Sequence, residues 1–96
     1  MKEIKHYING QYVGSASGKL FDNVNPANGK VIAKVHEGGR DEVDAAVRAA
    51  RAALKGPWGK MTLDERTRIL HRVADGINER FEEFLEAECL DTGKPK

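Results

Sequence analysis

Val31-Ile32-Ala33-Lys34-Val35-His36-Glu37-Gly38-Gly39-Arg40-Asp41-Glu42-Val43-Asp44-Ala45-Ala46-Val47 is the stretch in which the chain changes its hydrophobic period. Before the glycines, Val31, Ala33 and Val35 alternate with Lys30, Lys34 and His36, the period of a strand with one covered face. After them, Val43, Ala46, Val47, Ala50, Ala53 and Leu54 recur at helical spacing. Asp41, Glu42 and Asp44 open that helix, while Arg48, Arg51 and Lys55 follow, the order the helix dipole favours. Gly38-Gly39 marks the switch, so strands precede position 38 and helices follow it. The fold class is therefore mixed α/β.

Working back from the switch, Lys30 to Glu37 reads as one strand and Leu20 to Val24 as another. Between them Asn25-Pro26-Ala27-Asn28-Gly29 has turn chemistry: Pro presets φ and Asn-Gly supplies left-handed positions. Further back, Ile4 to Ile8 and Gln11 to Val13 flank Asn9-Gly10, the dipeptide a type I′ hairpin turn favours. Residues 1–37 are thus expected to form two β-hairpins.

Working forward, the first helix spans about Arg40 to Leu54 and stops at Gly56-Pro57. Thr62-x-x-Glu65 has capping-box spacing and starts a second helix. Its apolar positions, Leu63, Ile69, Leu70, Val73, Ala74 and Ile77, continue into Phe81, Phe84, Leu85 and Cys89. Helical structure is expected from Leu63 to Asp91, as two helices or as one bent at Gly76-Ile77-Asn78, with Gly93 and Pro95 as the stop. The helical part covers residues 40–91. Two hairpins and two or three amphipathic helices leave apolar faces with no central sheet to cover them. The 96 residues are accordingly expected to be part of a larger domain rather than a stand-alone α+β interaction module.

Composition excludes several classes. Sixteen Lys+Arg against fifteen Asp+Glu leave a net charge of +1, so no global field draws the chain to nucleic acid or anionic lipid. No apolar run approaches the roughly 20 residues of a membrane helix. The charged start, Met1-Lys2-Glu3-Ile4-Lys5, is unlike a signal peptide. One cysteine makes no internal disulfide. A cytoplasmic setting is expected.

Several residues invite a functional reading that their surroundings weaken. Cys89 lies among Glu86, Glu88 and Asp91, and carboxylates raise a thiol pKa, which opposes nucleophilic use; it reads as packing. Gly38-Gly39 lacks a third glycine and a buried preceding strand, so it reads as a turn and N-cap rather than a phosphate cradle. Gly59-Lys60 is no P-loop, because position 54, where the loop's first glycine would stand, is Leu54. Trp58 is expected to dock on the helices. Asp91-Thr92-Gly93 spells the aspartic-protease triplet but ends a helical pattern with no β-structure after it. His6, His36 and His71 have no zinc-ligand spacing. Arg66, Arg68 and Arg72, interleaved with Asp64, Glu65 and Asp75, read as a solvated face. Glu86, Glu88 and Asp91 put negative charge at a helix C-terminus, where the dipole is already negative, which calls for a compensating cation, with Lys94 nearby.

Four landmarks in order carry a resemblance. They are Tyr7-Ile8-Asn9-Gly10; Val24-Asn25-Pro26-Ala27-Asn28-Gly29-Lys30-Val31-Ile32; Asp41 to Arg51 with Pro57-Trp58; and Arg68-Ile69-Leu70 through Asp75 to Leu90-Asp91-Thr92-Gly93-Lys94-Pro95. Together they resemble the N-terminal segment of the NAD(P)-dependent aldehyde dehydrogenases. The overall likeness is greatest to the branch acting on 2-hydroxymuconic and 2-aminomuconic semialdehydes from aromatic meta-cleavage.

The resemblance implies an oligomeric enzyme that oxidises a small aldehyde to its carboxylate with NAD, through a cysteine thiolate and a glutamate-activated water. In the family the catalytic and cofactor-binding groups lie downstream of the last landmark, so no catalytic or NAD-binding residue is expected among these 96. The segment's expected role is structural: it forms the peripheral part of the cofactor-binding domain and its partner is the rest of the dehydrogenase chain. The family also implies a structural Na⁺ or K⁺ held by Asp91 and by the carbonyls of Asn23 and Val24.

Overall fold

The structure is a computed structural model describing residues 2–96. Five strands come first: β1 (Glu3–Ile4), β2 (His6–Ile8), β3 (Gln11–Val13), β4 (Leu20–Val24) and β5 (Val31–His36). Four helices follow: α1 (Arg40–Lys55), α2 (Pro57–Lys60), α3 (Leu63–Glu79) and α4 (Phe81–Thr92). The mixed α/β class and the switch at Gly38-Gly39 are as the sequence indicates.

Both hairpins form. In β2–β3, Asn9 (φ 52°) and Gly10 (φ 79°) occupy the two left-handed positions of the turn. Tyr7 pairs with Tyr12 across it, ring centroids 5.0 Å apart and edge to face. β4 and β5 pair antiparallel, with a register irregularity at Asn23/Val24. Their turn is built on buried Asn25, whose Oδ1 accepts from the Ala27 N–H at 2.9 Å and whose carbonyl accepts from the Gly29 N–H at 2.8 Å.

One expectation is corrected. Ile4 to Ile8 is not one strand: the chain breaks at Lys5, and β1 leaves the hairpin to pair parallel with β5, Glu3 opposite Lys34 and Ile4 opposite Val35. The result is a three-stranded sheet, β1-β5-β4, beside the two-stranded β2-β3. His36 fastens this corner. Its Nδ1 accepts from the Ser15 N–H (3.0 Å), so the ring hydrogen lies on Nε2, which donates to Glu3 Oε1 (3.1 Å).

Gly39 caps α1, and the side chain of buried Glu42 accepts from its N–H at 3.2 Å. The Ala46, Ala49, Ala50 and Ala53 face of α1 turns toward Tyr7 to Gly10 of the hairpin. Pro57 ends α1 and also opens α2, since a proline at N1 lacks only an N–H the helix leaves free. The close return of α2 depends on Gly59, where a Cβ would stand 1.7 Å from the Leu54 carbonyl oxygen. Arg66, read from sequence as part of a solvated face, ties α2 to α3. Its Nε and Nη2 donate to the carbonyls of Trp58 and Gly59, both at 3.2 Å, and its guanidinium lies 5.4 Å from the Trp58 ring centroid.

Thr62 caps α3 as its spacing indicates: Oγ1 accepts from the Glu65 N–H at 3.1 Å, and Glu65 reaches back to the Thr62 N–H. The open question of one bent helix or two is settled by Arg80 (φ −111°, ψ 29°), which separates α3 from α4 four residues after Gly76. Gly93 (φ 76°) ends α4, its N–H donating to the Cys89 carbonyl at 2.9 Å.

These elements form a slab of 47 × 35 × 16 Å with a radius of gyration of 16.8 Å, against about 12.5 Å for a compact chain of this length. Its surface is 7861 Å², where a compact monomer of this mass exposes about 5,500 Å². Among the described residues Ala33 is the one buried hydrophobic, while Val43, Leu54, Leu63 and Leu70 stay more than half exposed.

Candidate functional site

The residues singled out as a cation site lie at opposite ends of the chain. Asn23 sits near the end of β4, at the register irregularity before the Asn25 turn. Asp91 sits in the last turn of α4. The fold brings their side chains together: Asn23 Nδ2 donates to Asp91 Oδ1 at 3.0 Å. Val24 is the next residue of β4 and is partly exposed.

A second contact fixes the approach. The place a Cβ would take on Gly93 is 3.0 Å from Pro26 Cγ and 3.4 Å from the Ala27 nitrogen. The left-handed cap of α4 thus rests on the β4–β5 turn, which is closed by its own hydrogen bonds. The second and fourth landmarks of the sequence, distant along the chain, meet here in space.

The electrostatics of this helix end are more shared than the sequence suggests. Lys94 Nζ lies 3.4 Å from Glu88 and Lys96 Nζ 2.5 Å from Glu86, while Asp91 takes the Asn23 amide. The hydrogen bond to Glu86, and then its charge, hold the Lys96 ammonium above its ordinary 10.5, on an exposed side chain. The Asp91 carboxylate is a hard oxygen donor, of the kind that suits an alkali cation better than zinc. Among the described residues no group of three or more His, Cys, Asp or Glu side chains converges on a metal position.

The other candidates resolve as packing or connection. Cys89 is half-buried on α4, its carbonyl accepting from Gly93. Asp91 and Thr92 are helical, and Thr92 Oγ1 donates to the Glu88 carbonyl at 2.7 Å, so the triplet forms no protease loop. Gly39 is an N-cap. His6 packs against Gly38, and its Nε2 is buried with no partner among the described residues. Sequence reasoning missed the Asn23 amide as a donor to Asp91. No local signal reveals a contact between residues 68 apart.

This meeting of the Asn25 turn and the α4 cap involves two of the four segments that carry the resemblance. The model of the aldehyde dehydrogenase family matches residues 12–96. The chain belongs to the aldehyde dehydrogenase family. It is 79% identical over 96 residues to a 2-hydroxymuconic semialdehyde dehydrogenase of Pseudomonas sp. (strain CF600), covering all of this chain and 20% of that protein. It is 45% identical over 95 residues to a 2-aminomuconic 6-semialdehyde dehydrogenase of Pseudomonas sp., covering 99% of this chain and 19% of that one. Among solved structures, the aldehyde dehydrogenase of Bacillus cereus in complex with NAD⁺ superposes with a TM-score of 0.93 at 46% identity, over 98% of this chain and 19% of that chain. The chain thus spans about one fifth of the length of these aldehyde dehydrogenases. No helix among its described residues is long and apolar enough to cross a membrane.

Proposed function

We propose that these 96 residues are the N-terminal part of an enzyme that oxidises an aldehyde to its carboxylate with NAD⁺. The aldehyde we propose is a muconic semialdehyde. The observation that carries the reading is the 79% identity to a 2-hydroxymuconic semialdehyde dehydrogenase over the whole of this chain. The NAD⁺ complex of the Bacillus cereus relative supports the cofactor. The segment's own role is a structural layer: a thin slab with exposed apolar helix faces, covered in the full enzyme by the rest of the dehydrogenase chain. Residues 1–96 are on this reading a partial domain, carrying neither nucleophile nor nicotinamide site. The enzyme is proposed to be a cytoplasmic homo-oligomer without nucleic-acid or membrane partners.

The proposal extends to a structural Na⁺ or K⁺ at Asp91, with the carbonyls of Asn23 and Val24 as further ligands. The support is the approach of β4 to the last turn of α4, where the Asn23 side chain reaches the Asp91 carboxylate, itself a hard oxygen donor. Such an ion would neutralise charge at the negative end of α4 and tie it to β4.

The test is NADH formation by the full-length polypeptide carrying this segment, with 2-hydroxymuconic semialdehyde and with simple aliphatic aldehydes. The expected result is NAD⁺ reduction with a kcat/KM that favours the semialdehyde. Turnover of aliphatic aldehydes alone would overturn the substrate, and no turnover of any aldehyde would overturn the activity.

A further inference from the structure

We draw no further inference here: the strongest candidate, the shallow groove between the Asn9-Gly10 hairpin and the Ala46 to Ala53 face of α1, close to the His6 Nε2 that has no partner among the described residues, is an open apolar face and nothing in the structure shows what covers it.

Discussion

The amide of Asn23 donates to Asp91 Oδ1 at 3.0 Å, joining β4 to the last turn of α4 across 68 positions of sequence. The bond has a charged acceptor but lies in partly exposed surroundings, so it contributes about 1 kcal/mol. In the full-length polypeptide, Asn23→Ala and Asp91→Ala each lower the urea midpoint. The double variant should lose less than the sum, with a coupling of about 1 kcal/mol. Strict additivity would mean that the two side chains do not act on each other.

Asp91→Asn separates the hydrogen bond from the ion. The amide oxygen still accepts from Asn23, but the negative charge of the proposed cation ligand is gone. Replacing K⁺ and Na⁺ by tetramethylammonium at constant ionic strength should lower the Tm of the native polypeptide and leave that of Asp91→Asn unmoved. Saturation at about a hundredfold above Kd corresponds to about 2.7 kcal/mol. An equal response of both proteins would remove the cation from the account of this corner.

Glycines divide sharply by their surroundings. At Gly59 a Cβ would stand 1.7 Å from the Leu54 carbonyl oxygen, which a backbone atom cannot yield without moving α2 off α1. Gly59→Ala should therefore cost at least the ~1–3 kcal/mol of ordinary overpacking. Gly93→Ala combines a left-handed φ of 76° with a close approach to Pro26, and should cost about 2 kcal/mol. Gly76, in a helix with nothing within 4 Å, is the control: Gly76→Ala should gain up to about 1 kcal/mol. Urea midpoints order the three, and a neutral Gly59→Ala would refute the packing of α2.

What the sequence discloses and what it hides follow the range of the interactions. The Asn9-Gly10 turn and the Thr62-x-x-Glu65 cap are decided within four residues, so their signals are complete in the text of the chain. The register of β1 on β5 is not, because Glu3 meets Lys34 and a two-residue strand has no period to read. Pro57 was legible as the end of α1 but not as the start of α2, since one proline serves both positions. The break at Arg80 interrupts an apolar stripe that runs on through Phe81 and Phe84, so periodicity alone joins what the backbone separates. Of the candidate site, the charge imbalance at α4 was legible from Glu86, Glu88 and Asp91. The Asn23 amide that meets Asp91 was not, because 68 positions separate the two and the family resemblance implies only the carbonyls of Asn23 and Val24.

The last expectation concerns residues 1–96 expressed alone. A slab 16 Å thick, with Ala33 as its one buried hydrophobic among the described residues, has little apolar burial to offset the conformational entropy of folding. Its surface of 7861 Å² exceeds that of a compact monomer, about 5,500 Å², and that excess is what a covering layer would remove from water. The excised segment should therefore bind a hydrophobic dye and melt over a broad range with a small m-value. In the full-length polypeptide the amides of α1 and α3 should instead exchange slowly, as parts of one cooperative core. A single sharp transition of the isolated segment, with an m-value suited to its length, would show that it folds alone. The partial-domain reading would then fall, and the exposed face of α1 would have to be explained as an interface of a free-standing module.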